Sequence, residues 1–311
     1  MTAMGWFITG TVGEFLAVAG ECLRAEPARN SVVLTATENL RLSAAAAAGQ
    51  EGTWLGWWRS PAVPGPEGPE GPQSQGPVSA VFMHTPEYPA MLSHMSGQAA
   101  ADLARDLAAA GRQVPGVNAG QEAAGAFAAA WRDRTGDAVT VRLRMRLFRL
   151  GALVPPRPAP EGAARPAARP DRDLLAGWFG AFGREIGDPP RHDYHAVVDE
   201  RLGYGGIMVW EAGGAPVSVA VLTRAVAGMV RVGSVYTPPA LRGRGYAGAV
   251  TAAISQAALD AGVREVVLYT DLANPTSNAL YQRLGYRLVE DRVVLSFAPA
   301  PHRLGFTGER T

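Results

Sequence analysis

The sequence predicts an α+β, mixed α/β fold: two tandem domains, each a mixed, mostly antiparallel sheet flanked by helices. Three observations carry this. Apolar runs of period two alternate with runs of helical period along the chain. A Pro/Ala/Arg-rich stretch from Val154 to Pro170 divides it near the middle. The order strand, helix, short strand, helix, strand closes both halves, as an internal duplication would. The boundaries that follow are 1–153 for the first domain, 154–170 for a linker and 171–311 for the second domain.

In the first half a helix is expected near 10–24, then a strand over SVVLTAT at 31–37 and a helix at 38–48. Strands follow at TWLGWWR and VSAVFMHTP, whose β-branched and aromatic residues suit a half-buried pleated surface. Between them, Ser60 to Pro77 contains GPEGPEGP, too short a triplet run to trimerise and read as a flexible loop. The helix GQAAADLARDLAAAG, the strand-like QVPGVN, the helix GQEAAGAFAAAWRDRTG and the strand VTVRLRMRLFRL complete the half.

In the second half Asp171 is placed to cap the helix DRDLLAGWFGAFGREIG, and a weaker helix covers His195 to Leu202. Strands are expected at GIMVWEA, VSVAVLTRAV and MVRVGSVYT, separated by Gly213-Gly214 and Ala227-Gly228. A helix from Gly245 to Gly262, the strand EVVLYTD and a helix from Asn274 to about Leu284, stopped by Gly285, come next. Two short strands, YRLVE and RVVLSF, end the pattern. The whole reads as an antiparallel meander feeding a βαβ unit.

Composition excludes several classes of function. The 311 residues are 47% hydrophobic, enough for two cores, and the formal net charge of +1 argues against a nucleic acid or membrane held by bulk electrostatics. All 29 basic residues are arginine, so no internal lysine can be modified. The single cysteine, Cys22, rules out an intramolecular disulfide or a thiolate metal cluster and suits a reducing cytoplasm. Glu14 and Glu21 interrupt the mildly apolar start, which does not read as a secretory leader, and no apolar run reaches the ~18 residues of a spanning helix. A monomer or homodimer is expected.

The chemistry gathers at VYTPPALRGRGYAGAV, 235–250. A strand ends at Thr237, Pro238 and Pro239 stop it, and Arg242-Gly243-Arg244-Gly245-Tyr246-Ala247 runs into an Ala-rich helix. Backbone N–H groups and the positive end of a helix dipole then point at one spot, which suits phosphate. A dinucleotide site wants its glycine turn after the first strand of an alternating βα pattern, and here the turn follows a meander. A Walker loop needs a lysine, and the chain has none.

Residues 229–297 resemble the GNAT N-acetyltransferase superfamily. Arg242, Gly245 and Ala247 meet its Arg/Gln-x-x-Gly-x-Gly/Ala pattern, and the run Asn274 to Tyr286 resembles its second motif. The first half resembles the superfamily only as a degenerate copy: after His84-Thr85-Pro86 come Glu87 and Tyr88, with no glycine turn. The resemblance implies acetyl-CoA as co-substrate, no metal, and direct attack by an amine. It implies that the pantetheine arm lies along Val235, Tyr236 and Thr237. The pyrophosphate would sit on the turn of Arg242, Gly243, Arg244, Gly245, Tyr246 and Ala247, and Asn274, Ser277 and Asn278 would touch the cofactor. It implies Tyr281 as general acid to the leaving thiolate. Counted from a helix start near Asn274, Asn274, Asn278 and Tyr281 share one helical face.

The general base stays open. Superfamily members often carry a glutamate on the strand before the turn, and MVRVGSVYT has no carboxylate. Asp271 is nearest the expected strand gap; Glu211, His192, His195 or a water chain are the alternatives. In the first half Trp54, Trp57, Trp58, His84 and Trp131 read as mostly core, with Trp131 standing roughly where Tyr281 stands and Asn118 where Asn274 stands. This half is expected not to bind coenzyme A productively. The acceptor is expected to be a small molecule or peptide amine. The alternatives are a transferase using another acyl-CoA and a non-catalytic acyl-CoA-binding or partner-binding protein.

Overall fold

The computed structural model describes residues 5–42, 52–60, 76–188 and 193–299. Most of the Ser60–Pro77 stretch, the end of the helix expected at 38–48, and His192 lie outside them. The chain forms two compact units from interleaved segments. Unit 1 holds Met1–Cys22, Ala45–Arg144 and Arg292–Thr311, and unit 2 holds Leu23–Ala44 and Met145–Asp291. Among the described residues there are eight α-helices, none long and apolar enough to cross a membrane.

Strand β1 (Gly5–Thr9) and helix α1 (Val12–Ala25) precede α2 (Ser31–Leu42). Here the expected strand SVVLTAT is instead the first half of α2. The Val and Thr run loses a few tenths of a kcal/mol per residue in a helix, but burying a Val or Leu returns about 1.5–3 kcal/mol. Val33, Leu34 and Thr37 are all buried. The hydroxyls of Thr35 and Thr37 bond back to the carbonyls of Ser31 and Val33, each at 2.8 Å, so neither opposes the helix.

Unit 1 is a sheet of β1, β2 (Trp54–Arg59), β3 (Val78–His84), β4 (Ala90–Leu92) and β5 (Gly116–Gly120). All neighbours are antiparallel except β4 and β5, which pair in parallel at Ala90–Val117 and Met91–Asn118. Neither β1 nor β4 was expected; both are too short to show a period. Helix α3 (Gly97–Ala109) starts at Ser96, whose side chain accepts from the Ala99 N–H. Helix α4 (Gln121–Thr135) ends at Gly136, left-handed at φ 76°. Phe82, Leu92, Leu103, Leu107, Phe127 and Trp131 fill the core between these helices and the sheet.

Two long strands pass from one unit into the other. β6 (Ala138–Leu150) begins in unit 1 and ends in unit 2, while β12 (Tyr286–Ala298) does the reverse. β12 replaces the two short strands expected there, because no Gly or Pro interrupts 286–298. In unit 1 its Arg292–Ser296 pairs antiparallel with β5. Arg292 is 3% exposed. It donates Nε to Asn118 Oδ1 at 3.1 Å and a terminal nitrogen to the Leu92 and Asn118 carbonyls at 2.7 and 2.9 Å. A buried guanidinium thus ties the end of β4 to β5.

His84 is 4% exposed and stacks on Trp54 at 4.8 Å. Neither ring nitrogen has a hydrogen-bond partner among the described residues, and Arg112 stands 5.1 Å over the same indole. Burial lowers the His84 pKa, and the Gly52 backbone beside the ring opposes the shift without reversing it. The unfolded chain therefore takes up a proton at a higher pH than the fold does. Stability from this group is complete above about pH 6.5 and is lost as pH falls toward the folded value. The melting temperature is expected to fall between pH 7.5 and 5, and His84→Phe, which keeps the stack, should flatten that slope. An unchanged slope in the variant would refute the assignment.

Unit 2 runs β6, β11 (Glu265–Asp271), β10 (Met229–Tyr236), β9 (Ala215–Leu222), β8 (Ile207–Ala212), β7 (Ala163–Pro166) across its sheet. β7 lies within the stretch expected to be a linker. Helices α5 (Arg172–Ile186) and α6 (Tyr194–Gly203) pack over one cluster of apolar side chains, and α7 (Tyr246–Asp260) with α8 (Pro275–Arg283) over another. Asp171 precedes α5 but does not cap it. Its carboxylate accepts from Arg165 at 2.8 and 2.9 Å and from the Ala168 N–H at 2.8 Å, and Arg165 holds it below the usual carboxylate range.

Candidate active site

The site begins with a failure of strand pairing. β10 and β11 run parallel from Met229–Glu265 to Val232–Leu268, and there the ladder stops. β10 nevertheless continues to Tyr236 against Val219 of β9, and β11 continues to Asp271 against Met145 of β6. Each strand is held on its far side while the facing edges part. A shift of register between Val232 and Val235, where Gly233 sits, bends β10 away. The exposed edge suits an extended, amide-bearing chain, since backbone N–H and C=O groups seek partners.

Past Tyr236 the chain turns sharply. Thr237 is pinned by Ser218, whose Oγ lies 2.8 Å from Thr237 Oγ1 and donates to the Tyr236 carbonyl at 3.1 Å. Pro239–Leu241 form one 3-10 turn. Gly243 and Gly245 then take φ 77° and 84°, in the region that favours glycine. Gly245 is the N-cap of α7 and has no side chain to satisfy the first-turn N–H groups. A Cβ at Gly243 would meet nothing within 4 Å, so the turn is open above its backbone. Tyr246 is buried in the core and Ala247 half-buried, both in the first turn of α7.

The two arginines of the turn differ. Arg244 is exposed, its one hydrogen bond among the described residues a long 3.5 Å approach to the Ala240 carbonyl. Arg242 donates Nε to the Thr237 carbonyl at 2.9 Å and grips both oxygens of Glu185 at 2.8 Å. Its guanidinium also stands 5.7 Å over Tyr236, whose ring meets Trp178 and Phe182 of α5. Arg242 braces the turn against α5, a role hidden in the sequence because Glu185 lies 57 residues away.

Across the gap, Asn274 is the N-cap of α8, accepting from the Ser277 N–H at 3.0 Å. Asn274 is exposed and Ser277 half-buried. Asn278 is buried and donates Nδ2 to the carbonyls of Asp271 and Asn274 at 2.9 and 2.7 Å, while its Oδ1 is left without a donor. Tyr281, one turn on, is 8% exposed and meets Tyr286 edge-on at 6.0 Å. Its hydroxyl has no hydrogen-bond partner among the described residues. Burial pushes the phenol up to about 12.

The candidates for a base separate clearly. Asp271, exposed at the end of β11, accepts from the Ala273 N–H at 2.8 Å and sits at the mouth of the gap. Glu211 is on β8, two strands from β10, and accepts from Arg165 at 2.6 Å. His195 is near the start of α6, Nε2 3.3 Å from Asp173. No group of His, Cys, Asp and Glu that could hold a metal occurs among the described residues.

Unit 1 repeats the connectivity β4, α3, β5, α4, β6, with a parallel pair at its start. Counting from the helix caps gives a different residue correspondence. Asn118 lies on β5, and the N-cap of α4 is Gly120. Tyr281 is seven residues past its N-cap (281 − 274), and seven past Gly120 is Phe127, not Trp131. Phe127 stacks on Trp131 and Phe297 at 6.0 Å each. Unit 1 has no hydroxyl at that position.

Residues 172–286 match the model of the acetyltransferase (GNAT) family. A GCN5-related N-acetyltransferase from Sphaerobacter thermophilus is 17% identical with a TM-score of 0.58, over 93% of this chain and 94% of that one. A Drosophila protein is 12% identical with a TM-score of 0.62, over 96% of this chain and 99% of that one. At these identities the likeness is one of fold, and it spans both halves. No curated protein matches the sequence.

Proposed function

Because residues 172–286 match the model of the GNAT acetyltransferase family, we propose that unit 2 transfers the acetyl group of acetyl-CoA to an amine, with a small-molecule acceptor favoured. What carries this reading is one juxtaposition: a strand gap that opens toward a glycine turn, with the unpartnered Tyr281 hydroxyl on the helix across it. These residues fit the cofactor. The edge Val235–Thr237 offers backbone groups to an amide-bearing arm. The open turn over Gly243 offers N–H groups of 243–247 to a pyrophosphate, and Arg244 adds charge. The unpaired Asn278 Oδ1 can accept from an amide N–H.

Bound acetyl-CoA supplies an activated thioester. A backbone amide of β10 near Tyr236 orients the thioester carbonyl. Tyr281 holds the proton that the departing sulfur takes up. With its phenol near 12, it stays protonated through the neutral range, as an acid must. Asp271 is the carboxylate placed to accept the proton of the incoming amine. A purely binding protein would not need a phenol so placed.

Calorimetric titration with acetyl-CoA tests the reading. Saturable one-site binding is expected, and folded protein that takes up no heat would end it. A screen of amines and acyl donors, reading release of free thiol, then identifies acceptor and acyl length.

A further inference from the structure

The chain between β6 and β7 runs as a strap across the first turn of α7. It is anchored at one end by the Gly151 N–H to the Gly285 carbonyl and the Val154 N–H to the Leu284 carbonyl, each at 3.0 Å. At the other end Trp210 Nε1 donates to the Glu161 carbonyl at 2.8 Å, and Ala163–Pro166 joins β8. Between the anchors it touches the helix start. A Cβ on Gly248 would lie 3.5 Å from Pro156 Cγ, and one on Gly245 would lie 3.7 Å from Pro160 Cβ. Arg157 stands between these two prolines. It is exposed, and among the described residues it has neither a hydrogen bond nor an ion pair. Pro155, Pro156, Pro158 and Pro160 restrict the strap's backbone, so little freedom remains to be lost when Arg157 is engaged.

Charge makes the placement meaningful. Coenzyme A carries a pyrophosphate and, apart from it, a phosphate monoester on the ribose. Arg242 is already committed to Glu185, which leaves Arg244 as the uncommitted cation of the turn. Resting on the cofactor reading above, we propose that Arg157 is a further cofactor-binding residue, paired with the ribose phosphate rather than the pyrophosphate. The space over the turn backbone is open at Gly243, whereas Pro160 covers Gly245, which reserves the Gly243 side for the pyrophosphate. Arg157 is exposed on the strap whose prolines touch Gly245 and Gly248, so a long side chain there can meet an exposed monoester beside the turn.

The experiment is calorimetry of the full chain and Arg157→Gln with two ligands, coenzyme A and 3′-dephospho-coenzyme A. The substitution should weaken coenzyme A by about tenfold and leave the dephospho form within about twofold. Equal weakening of both ligands, or no change in either, overturns the assignment. Failure of the unsubstituted chain to bind either ligand overturns the cofactor reading itself, which is a separate result. Because Arg157 is exposed and unpartnered, circular dichroism of the variant should match the parent.

Discussion

Tyr281→Phe is expected to lower turnover by about a hundredfold or more while coenzyme A affinity stays within about twofold, the range a positioned general acid supplies. The substitution is clean in this structure. The hydroxyl has no partner among the described residues, so its removal orphans nothing, and the ring keeps its edge-on contact with Tyr286. Stability should change by less than about 1 kcal/mol. The pH profile adds a check: the acid form is the active form and its pKa is held near 12, so this group contributes no loss of rate through the neutral range. Single-turnover rates and calorimetry on both proteins separate chemistry from binding. Equal turnover in the variant would remove Tyr281 from the reaction.

Gly285→Ala is expected to destabilise unit 2 by more than about 3 kcal/mol, read from denaturant unfolding. Gly285 has φ 98°, and an added Cβ would stand 1.9 Å from the Ala152 carbonyl oxygen. That neighbour is backbone, fixed by the hydrogen bonds that tie 151 and 154 to the end of α8, so it cannot swing aside. Gly243→Ala is the contrast, at φ 77° with open space around the new methyl. It should cost only about 1–2 kcal/mol. Similar losses in the two variants would mean that the contact with Ala152 is not what fixes glycine at 285.

Much of this was legible before any coordinates. Period-two and helical runs located most strands and helices, and the glycines of 242–247 located the turn, because both signals are local. Helical spacing put Asn278 and Tyr281 on one face, and both are buried, whereas Asn274, expected on the same face, is exposed at the N-cap. What failed was non-local. The Val/Thr run of α2 reads as a strand until Val33 and Leu34 find something to pack on. The partner of Arg242 could not be guessed, since nothing near it in sequence marks Glu185. Nor does hydrophobic pattern say which strand a strand will pair with, and β6 and β12 each serve both units.

That shared use of β12 bears on how the chain is made. The partner of β5 is Arg292–Ser296, and Arg292 lies 148 positions after Arg144 (292 − 144). At about 5–20 residues per second, the ribosome needs roughly 7–30 s to deliver that strand after the rest of unit 1 has been synthesised. During that interval β5 has an unpaired edge, and neither Leu92 nor Asn118 has the guanidinium that later ties them. Nascent chains of this protein should therefore depend on a holding chaperone until β12 emerges and pairs with that edge.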